Sequence, residues 1–189
     1  MGKKDISKVT FISNILWNQF FKEGSIVVDA TLGNGWDTLS LCEIVGEKGK
    51  VYAFDIQEEA FESSKKKLEE HGYLNRVTFI KESHEFIDLF VKEEVDGVIF
   101  NLGYLPGQSH ELATNLSSTL KAIKMSLDLL KKDGIITIAV YVGHPQGKEE
   151  EMAVNEFLKN LDSKDYRVVK LDNINQQNSP PVLFCLQRR

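Results

Sequence analysis

The feature that most constrains the fold is a regular alternation of short apolar runs with longer segments of helical periodicity. Runs such as "SIVVDA" (25–30) and "KVYAFDI" (50–56) are typical of strands buried on both faces of a sheet. Because each is followed by a helical segment, the pattern predicts a doubly wound, parallel sheet. The predicted strands are 25–30, 50–56, 76–80, 96–104, 134–142, 166–171 and 182–187, and the predicted helices are 6–22, 34–45, 57–72, 84–91, 111–131 and 147–160.

The last two strands differ from the others in their connection. They are joined by "DNINQQNSPP" (172–181), which is too short and too rich in turn residues for a crossover helix. We therefore expect a closing antiparallel hairpin. The fold class is α/β, with a mainly parallel seven-stranded sheet and helices on both faces. We expect a single domain over residues 1–189, with an N-terminal helix within 1–22 packed on it.

Composition narrows the class of protein. The 189 residues carry a formal net charge of −5, so a nucleic-acid partner would have to meet a local basic surface. No apolar run reaches 18 residues, which predicts a cytoplasmic protein without membrane contact. The two cysteines, Cys42 and Cys185, lie far apart in apolar surroundings and are interpreted as buried structural thiols.

The stretch "VVDATLGNGWDTLSL" (27–41) places a glycine loop between the first strand and its helix. Gly33 and Gly35 let the backbone approach a ligand, and the following helix offers free N–H groups. Thr38 stands where a dinucleotide-binding loop has its third glycine. Asp37 would repel a pyrophosphate but attract an ammonium group, which favours a ligand that carries an amino acid.

Two further segments complete the predicted ligand. Asp55 ends the second strand, where a carboxylate can bind both ribose hydroxyls, and Gln57 can support it. Ser83 and His84 follow the third strand, where an adenine would lie. Together these features predict S-adenosylmethionine as cofactor, without a metal. The predicted cofactor-binding residues are Asp29, Thr31, Gly33, Asn34, Gly35, Asp37, Thr38, Asp55, Gln57, Ser83 and His84.

The acceptor side is predicted from "NLGYLPG" (101–107), at the end of the fourth strand. Methyltransferases that act on amino groups carry an Asn/Asp-Pro-Pro-aromatic segment at this place. We therefore expect Asn101 and the Leu102 carbonyl to orient an amine and Tyr104 to stack on a base. His144, in "YVGHPQGKEE" (141–150), is a candidate proton acceptor.

These segments, with "FDIQ" and "NSPPVLF", resemble the rRNA methylase family, also called the YtqB or MnmM family, over nearly the whole chain. The resemblance implies a Rossmann-like class I methyltransferase. It further implies conversion of 5-aminomethyl-(2-thio)uridine to 5-methylaminomethyl-(2-thio)uridine at the tRNA wobble position. Two segments depart from the common pattern: "LPGQSH" stands in place of "LPGGDK", and Gln146 replaces a glycine. Both lie on the substrate side.

Other functions are also compatible with the sequence. The same chemistry could serve rRNA or a small amine, and less favoured readings are an NAD-binding oxidoreductase and a non-catalytic RNA-binding protein. If the partner is a tRNA anticodon loop, the candidate phosphate contacts are Lys121, Lys124, Lys148, Arg188 and Arg189. Lys65 to Lys67 are interpreted as a solvated helix face. A homodimer through an exposed edge is compatible with the pattern.

Overall fold

The computed structural model describes residues 4–103, 116–143 and 145–189. The strands are β1 (Ile26–Asp29), β2 (Lys50–Asp55), β3 (Val77–Lys81), β4 (Val95–Leu102), β5 (Leu130–Val140), β6 (Tyr166–Leu171) and β7 (Val182–Arg188). The helices are α1 (Val9–Phe20), α2 (Trp36–Val45), α3 (Glu58–Glu70), α4 (Ile87–Phe90), α5 (Leu116–Leu129) and α6 (Pro145–Lys159). Short 3-10 helices lie at Leu74–Arg76 and His84–Phe86.

All seven strands form one sheet in the order β3-β2-β1-β4-β5-β7-β6. The pairs among β1 to β5 are parallel, whereas β7 pairs antiparallel with both β5 and β6. The predicted α/β fold with its closing antiparallel hairpin is therefore confirmed. Strand order reverses between β1 and β4, and ligands of open α/β sheets bind at such a point, beyond the carboxyl ends of the strands.

Both faces of the sheet are buried, which explains why the strands are continuous apolar runs. On β1, Val27 packs with α2 and α3 on one face, while its neighbour Val28 packs with α5 and α6 on the other. Neither valine is exposed to solvent. Because successive side chains of a strand point to opposite faces, a strand covered by helices on both sides must be apolar at every position.

The N-terminal helix α1 packs on the sheet as expected. Trp17 is buried, and its indole N–H donates to the hydroxyl of Thr137 on β5 at 3.0 Å. Val9 packs against Ala139 of β5 and Leu183 of β7. The helix therefore covers the part of one sheet face that lies over β5 and β7. The single-domain organisation stays a prediction.

The bounds of most elements differ from the predicted ones by a few residues, and two of these differences have a visible cause. Strand β5 begins at Leu130, four residues before the predicted start, because the fully buried Leu130 pairs with Val95 ahead of an irregularity in the β4–β5 register. Asp133 takes a φ of 64° within that irregularity. Helix α2 begins at Trp36 rather than at residue 34, since Gly35 has a left-handed conformation. Residues 111–115 of the fifth predicted helix lie outside the described residues.

No helix in the described part of the chain is both long enough and apolar enough to cross a membrane.

Candidate active site

The loop between β1 and α2 needs glycine at two positions. Gly33 and Gly35 have φ values of 49° and 73°, in the left-handed region that other residues avoid. At Gly35 there is also no room for a side chain, because a Cβ atom would lie 2.5 Å from the hydroxyl oxygen of Ser64 on α3. The Ser64 hydroxyl in turn donates to the carbonyl of Gly33 at 3.1 Å. Helix α3 thus holds the loop against the sheet.

Asp29 holds the other side of this loop. It is fully buried, and its carboxylate accepts a hydrogen bond from the Thr31 backbone N–H at 3.1 Å and one from the Thr38 hydroxyl at 2.5 Å. Thr38 is fully buried as well. Asp29 and Thr38 therefore stabilise the conformation of the loop from its buried side.

Asp55, at the end of β2, faces the same loop. One carboxylate oxygen accepts from the Gly33 N–H at 2.9 Å and the other accepts from the Gln57 N–H at 3.0 Å. Each carboxylate oxygen has a second lone pair, so Asp55 keeps acceptor capacity for ligand hydroxyls. The Asn34 carbonyl accepts a short hydrogen bond from the Lys67 ammonium group.

Asn101, at the end of β4, is held from two sides. Its backbone N–H donates to the Thr31 hydroxyl at 2.8 Å, and its side-chain N–H donates to the Asp37 carboxylate at 3.0 Å. The side chain of Tyr141, which follows β5, lies near the Asn101 amide, which lowers the pKa of the phenol against the larger effect of burial. Hydrogen bonds therefore connect Asn101 to the glycine loop and the residues beside it, while the roles predicted for these residues stay predictions.

Unsatisfied buried atoms concentrate at this edge of the sheet. Four buried side-chain polar atoms have no hydrogen-bond partner within the described residues: Gln57 Oε1, Arg76 Nε, His84 Nε2 and Asn101 Oδ1. Three of the four follow or end β2, β3 and β4 at their carboxyl ends. Since buried polar atoms are nearly always paired, this clustering points to a ligand that brings hydrogen-bond donors.

The protonation state of His84 follows from its contacts. Its Nδ1 lies 3.1 Å from the Ala30 carbonyl, which only accepts, so Nδ1 carries the proton. Burial lowers the pKa of His84, so the ring is neutral at pH 7. Nε2 then accepts a hydrogen bond. The amino group of an adenine is a donor and needs such an acceptor.

The site is electronegative. Burial and, to a smaller extent, the neighbouring Asp37 carboxylate together raise the pKa of Asp29 to about 7, although the hydrogen bonds from Thr38 and Thr31 oppose the shift. Burial also raises the pKa of Asp37, against the hydrogen bond from Asn101. With Asp55, three carboxylates surround the loop. Such a site favours a cation and disfavours a pyrophosphate.

Several predicted residues are not brought to the site by the described contacts. Tyr104 and His144 lie outside the described residues. Arg188 and Arg189 end β7, which runs antiparallel to β5, and Gln187 pairs with Ile135 at the opposite end of β5 from the site. The two arginines therefore lie at the opposite end of β7 from this site, and their role as phosphate contacts stays a prediction.

The lysines considered in the sequence analysis also differ from one another in their surroundings. Lys121 forms an ion pair with Glu85 at 3.3 Å, and Lys124 is exposed on α5. Lys67, interpreted from the sequence as part of a solvated face, instead contacts the glycine loop and lies 3.7 Å from the ring centre of the exposed Trp36. Because Lys67 lies far from the loop in sequence, its contact with the loop was not predicted. Tyr141 was also missed, although it directly follows the end of a strand, as Asn101 ends β4.

The site can now be compared with known proteins. The family model described as "Putative rRNA methylase" matches residues 51–187. A crystal structure from Clostridium thermocellum with the same description is 42% identical, covers 98% of this chain and 100% of its own, and superposes with a TM-score of 0.95. The chain belongs to this family.

Two further relatives support that membership. A methyltransferase structure from Streptococcus mutans, in complex with SAH, is 37% identical with a TM-score of 0.89, and the match covers 98% of this chain and 100% of that one. The chloroplastic tRNA (mnm(5)s(2)U34)-methyltransferase of Arabidopsis thaliana is 36% identical over 191 residues, which cover 96% of this chain and 70% of the plant protein.

Family membership confirms the predicted enzyme class, a methyltransferase dependent on S-adenosylmethionine. The two non-methyltransferase readings, an NAD-binding oxidoreductase and a non-catalytic RNA-binding protein, do not fit this family. The electronegative loop agrees with the result, because S-adenosylmethionine carries both a sulfonium and an ammonium group.

Proposed function

We propose that this rRNA methylase family member transfers a methyl group to the amine of 5-aminomethyl-(2-thio)uridine at the wobble position of tRNA. The observation that carries the proposal is Asn101. Its Oδ1 atom is buried and without a partner among the described residues, while its amide nitrogen is bound to Asp37. The carboxylate fixes the amide orientation, so an acceptor is ready for an N–H group of the substrate.

The cofactor fits the remaining residues. Asp37 and the loop of Gly33 and Gly35 would hold the amino-acid part, and Asp55 with Gln57 would hold the ribose. His84 Nε2 would accept from the adenine amino group, and Ser83 lies beside it at the start of the 3-10 helix. Each proposed contact pairs an acceptor of this chain with a donor of the cofactor. Bound S-adenosylmethionine supplies a methyl group on a positively charged sulfur.

The chain's own residues must present a neutral amine. An alkyl ammonium ion has no lone pair, so the amine has to lose a proton before it attacks in line. The Asn101 Oδ1 atom and the Leu102 carbonyl would accept its N–H groups and aim the lone pair at the methyl carbon. Tyr104 would stack on the uracil, and His144 would accept the proton that the methylated nitrogen releases.

RNA is the macromolecular partner in this proposal. The plant relative that covers most of this chain acts, by its description, on a uridine of tRNA. Phosphate contacts would come from the basic residues near the site, Lys121, Lys124 and Lys148. We place the enzyme in the cytoplasm with its tRNA. Strand β6 pairs only with β7 among the described residues, which leaves an edge compatible with a homodimer.

The experiment uses radiolabelled S-adenosylmethionine and tRNA from a strain that lacks this protein. The RNA is digested after the reaction and the labelled nucleoside is identified. Label in 5-methylaminomethyl-(2-thio)uridine is the expected result. Label in rRNA or in a small amine, with none in tRNA, would contradict the proposed acceptor while keeping the methyltransferase.

A further inference from the structure

A second concavity lies beside the site at the carboxyl edge of β5. It has a volume of about 380 Å³ and is formed by the β6–β7 connection, the first turns of α6 and the strand ends next to them. Its wall carries polar side chains that no step of the proposed reaction uses. They are Asn173, Gln176, Gln177 and Ser179, and Lys148, a proposed phosphate contact, lies in the same wall.

The sheet register fixes how far this pocket lies from Asn101. Val182, in the pocket wall, pairs with Val140 of β5, and Val140 pairs on its other side with Leu102, the residue after Asn101. Neighbouring strands of a sheet are about 4.8 Å apart, so two strand spacings separate the pocket from Asn101 by about 10 Å. The pocket is therefore a neighbour of the acceptor site on the same edge.

The connection that forms the pocket has a defined conformation. The Asn173 side-chain N–H donates to the Ser7 carbonyl at 3.0 Å, which ties the connection to the N-terminal segment. Ser179 has a φ of 46°, an unusual value for a residue with a side chain. Strained backbone persists where the surrounding structure enforces it, and such residues cluster at binding sites.

The charged side chains of the pocket wall indicate which class of ligand it can bind. Lys148 and Lys170 are balanced by Glu151 and Asp172, and the Lys170 ammonium lies 2.8 Å from the Glu151 carboxylate. A wall without net charge binds through hydrogen bonds rather than by attracting several phosphates at once. Amide side chains can both donate and accept, as the edges of a nucleobase require. Lys148 forms no ion pair with another described residue and can meet a single phosphate.

We propose that this pocket binds the nucleotide next to the target nucleotide in the RNA strand. The inference rests on the proposed function and deepens it, since it states how the enzyme contacts RNA beyond the methylated base. The amides of Gln176 and Gln177 contact the base, and Lys148 contacts its phosphate. The enzyme then selects an unstacked strand rather than a free nucleoside.

The test is a double-mutant cycle between the pocket and the RNA. Anticodon stem-loops that carry the target uridine are prepared intact and with an abasic site on either side of it. The wild-type enzyme and a Gln176→Ala/Gln177→Ala variant are compared on each RNA by methyl transfer. We expect the variant and one abasic position each to raise KM about tenfold, with no further increase when the two are combined.

The phosphate contact proposed for Lys148 is tested with two substitutions on helix α6. Lys148→Gln should raise KM for the stem-loop, whereas Lys159→Gln, about 16 Å away along α6, should not. SAH binding verifies that every variant is folded. Additive effects in the cycle, or equal KM values for the wild-type enzyme and the pocket variant, would overturn the inference. If the wild-type enzyme methylates none of the RNAs, the proposed function fails first and this inference fails with it.

Discussion

The side-chain amide of Asn101 lies 3.0 Å from the Asp37 carboxylate, and this contact joins the acceptor side of the site to the cofactor loop. Asp37 belongs to the first turn of α2, and Asn101 ends β4. One hydrogen bond therefore couples the orientation of the Asn101 amide to the glycine loop, and in the proposed function it couples the substrate amine to the methyl donor.

Asn101→Ala removes the acceptor for the amine. Because misplacing a reacting group by about 1 Å can cost about 100-fold in rate, we expect turnover to fall by about that factor. The affinity for SAH, measured by calorimetry, should fall much less, by about fivefold at most, because Asn101 meets the cofactor loop through its bond to Asp37 and through Thr31. An equal loss of turnover and SAH affinity would show that Asn101 supports the fold of the loop instead.

Gly35→Ala tests the glycine loop, and Gly72→Ala is its control. Both glycines have a φ of 73°, but a Cβ atom at Gly72 meets nothing within 4 Å, whereas at Gly35 it meets Ser64 at 2.5 Å. Gly72→Ala should cost only the strain of a left-handed residue, about 1 kcal/mol of unfolding free energy. Gly35→Ala should cost more and weaken SAH binding. Equal effects in urea unfolding would contradict the close packing.

The pH dependence of stability should report on Asp29. Its pKa is about 7 in the folded chain, above the ordinary value of 3.8, so the native state binds the proton more tightly than the unfolded state does. The contribution to stability is complete below pH 3.8 and is lost as pH rises through 7. We expect a loss on the order of 2 kcal/mol from this group between pH 5 and 7.

The matched variant for this prediction is Asp29→Asn. An asparagine can still accept from Thr31 and can donate to Thr38, but it does not titrate. Urea unfolding of both proteins at several pH values should give a shallower slope for the variant. The same slope in the two proteins would mean that another group is responsible.

Tyr141→Phe removes a hydroxyl that lies near the Asn101 amide and the Asp37 carboxylate. Burial raises the pKa of Tyr141, and the nearby Asp37 carboxylate raises it further, so the phenol stays neutral. We expect a fall in kcat of at most about tenfold, because the variant loses a polar group beside the Asn101 amide. Steady-state kinetics should show KM for RNA unchanged. A larger effect on KM than on kcat would assign Tyr141 to RNA binding.

The sequence predicted the order of the elements because buried strands and amphipathic helices leave strong periodic patterns. The glycine loop, Asp55 and Asn101 were predictable for a second reason: parallel strands bring their carboxyl ends to one edge, whatever their distance in sequence. A residue at the end of such a strand is therefore placed by topology alone.

Residues away from strand ends were harder to place. Lys67 contacts the loop from a helix that follows a different strand, and no local pattern indicates which helix face meets that loop. The position of Arg188, away from this site, depends on the antiparallel direction of the last strand, which the candidate list of phosphate contacts did not take into account. Contacts between elements depend on register and packing, which a single sequence does not display.

The central claim is tested most directly with two synthetic anticodon stem-loops that differ only in the aminomethyl group of the wobble uridine. Each is incubated with the enzyme and S-adenosylmethionine, digested and examined by mass spectrometry of its nucleosides. The account predicts one added methyl group, on the amine nitrogen, in the aminomethylated loop alone. Methylation of the unmodified loop, or no methylation of either loop by enzyme that binds SAH, would contradict it.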